Sequence, residues 1–102
     1  MAFVKVAALS ELAPDSVREV AVGEGIYAIC NVAGKITALS GVCLHRGGPL
    51  GEGTIQGNHV VCPWHMWEFD CTTGEYDYNP ECRLATFPVQ VEGENVLIEV
   101  PE

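Results

Sequence analysis

Positive charge is scarce in this chain, with five Lys+Arg against fourteen Asp+Glu and a formal net charge of −9. That deficit excludes nucleic acid as a partner, because neutralising phosphates requires a basic surface. Long apolar runs are also missing. Nothing approaches the roughly 18 residues that a membrane-spanning helix needs, so no membrane role is expected. The N-terminal stretch from Met1 to Leu9 is apolar but has no basic leader, and Ser10-Glu11-Leu12 cuts it short. It reads as a first strand and not as a signal peptide, and a cytoplasmic location is the expectation. Helical periodicity is absent too: the best candidate, Leu9 to Leu12, stops at Ala13-Pro14-Asp15 and leaves room for one turn.

Strand patterns are frequent. Apolar or alternating segments at 3–7, 17–22, 25–32, 35–39, 59–62, 67–70, 84–91 and 96–100 read as short strands. Ala33-Gly34 and Gly93-Glu94-Asn95 read as hairpin turns. Hydrophobic residues at 48% against 19% charged make the chain globular. The expectation is an all-β fold, a sandwich or small barrel, forming a single domain over residues 1–102. Five cysteines (Cys30, Cys43, Cys62, Cys71 and Cys82) are an odd number, and no export signal accompanies them, so a disulfide scaffold is not expected. Cys30 lies in the apolar run Ile26-Tyr27-Ala28-Ile29-Cys30 and reads as a buried small hydrophobe. Cys71 and Cys82 read as inert or partly exposed thiols.

Between about 41 and 80 the texture changes. This segment contains all three histidines, both tryptophans and many of the glycines, and it reads as an insertion carried on a sheet built from the two ends of the chain. Within it, Cys43-Leu44-His45 and Cys62-Pro63-Trp64-His65 each offer one thiolate and one imidazole. Two Cys and two His suit a tetrahedral zinc ion. They also suit a 2Fe-2S cluster in which two histidines replace two cysteines on one iron. Two repeated Cys-then-His segments flanked by glycine and proline fit the cluster better, and a Cys-x-His opening is uncommon among zinc-finger spacings.

The flanking residues extend the pattern. Cys43-Leu44-His45-Arg46-Gly47-Gly48-Pro49-Leu50-Gly51-Glu52-Gly53 resembles the first cluster loop of bacterial Rieske-type ferredoxins. Cys62-Pro63-Trp64-His65 with Trp67, Phe69 and Asp70 resembles the second, and Asn79-Pro80 and Leu84-Ala85-Thr86-Phe87-Pro88-Val89 resemble the tail. The resemblance implies a Rieske-type fold, an antiparallel β-sandwich or barrel base with an inserted cluster-binding subdomain at about 41–80. It implies one 2Fe-2S cluster, with Cys43 and Cys62 on the inner iron and His45 and His65 on the outer one, near the molecular tip.

The implied role is a one-electron carrier, not an enzyme. It would pass electrons from a flavin-containing NAD(P)H ferredoxin reductase to a terminal oxygenase of the aromatic-ring-hydroxylating type, as a monomer docking transiently near His45 and His65. A fully ligated cluster has no open position for substrate, which supports the carrier reading independently. An oxygenase would need a further two-His, one-carboxylate iron site, and only His59 is left to supply it. The alternative is the Rieske small subunit of a larger reductase such as assimilatory nitrite reductase.

Departures from the respiratory branch are informative. Gly48 and Trp64 stand where those proteins place a bridging disulfide, and Trp67 and Phe69 stand where they place hydroxyls that hydrogen-bond to sulfur. Met66 stands at a position that is commonly glycine in Rieske loops; its side chain would shield His65 or add to the docking surface, or else be a flexible surface methionine without a role, and its backbone would need a conformation that non-glycine residues tolerate. His59, after Gly57-Asn58, reads as a solvated turn residue. Hydrogen bonds to sulfur favour the more negative reduced cluster, so their loss lowers the potential. Redox titration should place the midpoint near the low end of the Rieske range, on the order of −150 mV; a value above zero would contradict this.

Overall fold

The computed structural model describes residues 2–42, 49–64 and 66–100. The described strands, in chain order, are β1 (Ala2–Ala8), β2 (Ser16–Val22), β3 (Gly25–Val32), β4 (Lys35–Ser40), β5 (Thr54–Gln56), β6 (His59–Val61), β7 (Glu68–Asp70), β8 (Glu75–Tyr76), β9 (Asn79–Arg83), β10 (Thr86–Phe87), β11 (Val89–Glu92) and β12 (Asn95–Val100). The only helical geometry among the described residues is in two single 3-10 turns, Leu9–Glu11 and Leu50–Glu52. The fold is therefore all-β, as the patterning predicts.

All strand pairs described are antiparallel, in three sheets ordered β1-β12-β11, β10-β4-β3-β2 and β5-β6-β7-β8-β9. The first two are built from the ends of the chain. The third is built from the middle.

β3 explains how these parts cohere. It is buried almost along its whole length, and alternate residues enter two different cores. Tyr27 and Ile29 pack with Ala7, Leu12, Ala38, Val96 and Ile98. Ala28 and Cys30, on the opposite face, pack with Leu39, Leu50, Val60, Phe69 and Leu84. A strand covered on both faces reads as a continuous apolar run instead of an alternating one, which is the pattern of residues 26–30. On β4, Ala38 and Leu39 divide between the two cores in the same way. Each fully buried Ile or Leu contributes roughly 1.5–3 kcal/mol relative to exposure.

Two features depart from the sequence pattern. The strand expected over 84–91 is split: β10 pairs with β4, whereas β11 pairs with β12. Pro88 lies at the break. Without an N–H it cannot continue a ladder as donor, and the chain changes sheet there while the Pro88 carbonyl accepts from Glu99 N at 3.0 Å. Strands β5, β8 and β9 were not expected. They are short and polar, and β9 is an edge strand that contains Pro80, a placement that tolerates a missing donor.

The expected turn at Ala33-Gly34 is present, with φ of 51° and 93° joining β3 to β4. Positive φ at both central positions is the geometry of a type I′ hairpin, which asparagine tolerates better than alanine. Replacing Ala33 with Asn should raise unfolding free energy by about 0.5–1 kcal/mol in urea titration without changing the slope.

Candidate iron–sulfur centre

Of the four residues expected to bind metal, Cys62 is described, and Cys43, His45 and His65 lie outside the described residues. Arg46 and Gly48 lie outside them as well. What the structure shows is how the flanks of the two motif segments are held.

Val42 and Pro49, on either side of 43–48, form an antiparallel bridge, and Leu50 N donates to Gly41 O at 3.0 Å. In the second motif, Cys62 N donates to Trp67 O at 2.8 Å, so the chain entering and leaving 63–66 is drawn together. The two flanks also meet each other. Thr54 on β5 pairs with Val61 on β6, one residue before Cys62. A Cβ on Gly53 would come within 1.9 Å of the Val61 carbonyl oxygen, a distance no side chain survives. Glycine at 53 is thus required by the close approach of the first motif's exit to the second motif's entrance. Leu50 and Cys62 occupy one core.

Cys62, the residue after β6, is fully buried beside the apolar residues Val60, Leu50 and Phe69. A buried thiolate held at a pinched turn next to an apolar core suits a sulfur-ligated iron: soft donor, excluded water and restrained backbone. The donor chemistry and the described geometry fit a 2Fe-2S group. The rim around it is different in character. Val42, Trp64 and Met66 are 44%, 48% and 60% exposed, and all three belong to or border the motif segments.

Met66 has φ of 60°, in the left-handed region that favours glycine. The conformation that a non-glycine residue must tolerate here is therefore a left-handed one, adopted at some cost, and the side chain is exposed.

Trp67 and Phe69 are packed and not free. Phe69 is fully buried; Trp67 is half-buried and stacks on Tyr76 at 3.9 Å and 8°. Glu68 and Asp70 bound β7, and Asp70 Oδ1 accepts from Thr72 N at 2.7 Å and Thr73 N at 3.0 Å, a local turn role. His59 is not simply solvated: it is half-buried, and its Nε2 lies 3.6 Å from Asp77 Oδ1. Two further ion pairs are described, Arg18–Glu11 at 3.7 Å and Arg83–Glu75 at 3.5 Å.

The cysteines outside the motifs divide in a way the sequence did not indicate. Cys82 is exposed, whereas Cys71 is as buried as Cys30, and the two buried thiols are neighbours. The hydrogen bond that Cys71 donates to Cys30, reinforced by burial, pushes the Cys71 thiol far above its ordinary range. The same bond pulls Cys30 down while burial opposes it. They are partners only in three dimensions, one on β3 and the other just past β7. No spacing signal in the sequence announces the pair.

Residues 2–88 match the Rieske [2Fe-2S] domain. The chain belongs to the Rieske family, whose cofactor is one 2Fe-2S cluster. It is similar to the ferredoxin component of biphenyl 2,3-dioxygenase from Rhodococcus jostii (strain RHA1), with 33% identity over 98% of this chain and 94% of that one. Among solved structures, a chain in the complex of reduced oxygenase and oxidized ferredoxin in carbazole 1,9a-dioxygenase superposes with TM-score 0.85 and 31% identity, over 94% of this chain and 91% of that one. A structure named for the small subunit of an NADPH nitrite reductase superposes with TM-score 0.82 over 98% of this chain and 100% of that one, but at 19% identity it shares the fold alone.

Native-state alkylation with iodoacetamide at about pH 8 should modify Cys82 and spare Cys30 and Cys71, with peptide mapping as the readout. Modification of Cys71 in the folded protein would contradict its burial.

Proposed function

We propose that this chain is the ferredoxin component of an aromatic-ring-hydroxylating oxygenase system. It takes electrons singly from a flavin-containing NAD(P)H reductase and delivers them to a terminal oxygenase in the cytoplasm, without performing the oxygenation. In this reading Cys43 and Cys62 hold one iron and His45 and His65 the other, and residues 41–80 are the cluster-binding part of a single domain. When bound, the cluster supplies one reversible electron.

The protein's own residues do the rest. The 62–67 hydrogen bond and the Val42–Pro49 bridge restrain the ligand segments. The fully buried Cys62 keeps water from the sulfur. Trp64, Met66 and Val42 form an apolar rim for a partner, within a surface of strongly negative net charge. Such a surface suits a small transient interface whose association is steered by charge and completed by a few apolar contacts.

The observation that carries this reading is Met66. An exposed methionine stands at φ 60°, where glycine would fit without strain, and strain of this kind clusters at functional surfaces. The relatives named as dioxygenase ferredoxin components support the same role. The nitrite-reductase small-subunit reading rests on fold alone, and the intact pair of Cys and His motifs favours a carrier that binds its own cluster.

Two outcomes test the proposal. Met66→Gly should leave the midpoint of thermal unfolding unchanged or higher, yet slow electron delivery to a cognate oxygenase several-fold in stopped-flow. Equal loss of stability and rate would contradict a docking role. His45→Ala or His65→Ala should abolish the mixed-ligand EPR and visible spectrum; an unchanged spectrum would remove that residue from the ligand set.

A further inference from the structure

Beyond the restraint at Cys62, a line of aromatic side chains leads away from the cluster-binding turn. Trp67, whose carbonyl closes that turn, stacks face to face on Tyr76, with ring centroids 3.9 Å apart and planes 8° from parallel. Tyr76 meets Tyr78 edge to face at 5.8 Å and 73°. Phe69 flanks the stack at 6.4 Å from Trp67 and 5.6 Å from Tyr76. Tyr78 is 82% exposed, the most exposed of the large apolar side chains described. The remaining tyrosine, Tyr27, is buried against Phe87 in the other core.

Exposing an aromatic ring to this degree gains nothing from burial, and Tyr78 fills no pocket. The order of the rings is chemically directional. Tryptophan and tyrosine are the side chains most easily oxidised by one electron among those without sulfur, and rings in van der Waals contact exchange electrons readily. The chain begins half-buried beside a metal-binding turn and ends at a phenol whose proton can leave directly to water.

We propose that Trp67, Tyr76 and Tyr78 form a hole-transfer chain that carries oxidising equivalents from the cluster-binding turn to the protein surface. An oxygen-derived one-electron oxidant arising near the turn takes one electron from Trp67. That electron is replaced from Tyr78 across Tyr76, and the Tyr78 phenolic proton passes to water, leaving a neutral tyrosyl radical. A small-molecule thiol then returns one hydrogen atom to the Tyr78 oxygen and becomes a thiyl radical. The damage is thereby moved away from the buried sulfur ligand to a site where solvent reductants reach it. The usefulness of the chain rests on the ligand assignment above, whereas radical transfer itself is read without the oxygenase or the reductase, so the two can fail separately.

Pulse radiolysis of the holoprotein with azide radicals, which oxidise tryptophan preferentially, tests this. The Trp64→Phe background leaves Trp67 as the single tryptophan. The tryptophanyl absorption should decay as a tyrosyl absorption grows at the same first-order rate, independent of protein concentration. A nitroso spin trap should then be recovered on Tyr78 by peptide mapping. Adding Tyr76→Phe, which keeps the ring but removes the oxidisable phenol, should slow the transfer at least tenfold. An unchanged rate in that variant, transfer that scales with protein concentration, or trapping on Tyr27 would each overturn the proposal. The spin-trap result in the Trp64→Phe protein decides the matter even if the Tyr76 variant does not fold.

Discussion

The structure depends on one strand having no solvent face. Because β3 sends Tyr27 and Ile29 into one core and Ala28 and Cys30 into the other, the sheet built from the chain's ends and the sheet built from its middle are fastened to the same backbone. Neither core is large, and a domain of this size has little stability to spare. Sharing a strand lets the small cores reinforce each other. The side chains at 28 and 30 are small, which allows Phe69, Leu39 and Leu50 to pack against them.

That arrangement positions the site. Leu50 and Cys62 lie in one core, so the same packing that holds β5, β6 and β7 against β3 also fixes the flanks of the two motifs. Gly53 against the Val61 carbonyl is the closest point of this contact, and Val42–Pro49 and Cys62–Trp67 close the two segments at their bases. These contacts hold the backbone that flanks the two motifs.

The rim and the aromatic chain divide the surroundings of Cys62 into two kinds of surface. Val42, Trp64 and Met66 are apolar and exposed beside the ligand segments. Trp67 just before β7, Tyr76 on β8 and Tyr78 in the turn that follows form a line that packs inward at one end and reaches water at the other. The Trp67–Tyr76 stack ties the end of the second motif to β8.

Fold class and family were legible in the sequence, and the four Cys and His positions were proposed from it. Strand periodicity, the Ala33-Gly34 turn and the spacing of Cys43, His45, Cys62 and His65 are local properties, legible because each depends on residues a few positions apart. Even the apolar run 26–30 announced a buried strand, though not that two cores divide it. Tertiary structure decided what depends on residues far apart in the chain. Pro88 breaks an apparent single strand because the chain changes partner sheets there. Cys71 is buried because Cys30 and the β3 face lie over it, and His59 gains Asp77 only once β6 and the β8–β9 turn are side by side. Met66 shows the limit most plainly. Its identity is written in the sequence, but its left-handed backbone, inside the turn closed by the Cys62–Trp67 hydrogen bond, is visible only in the structure.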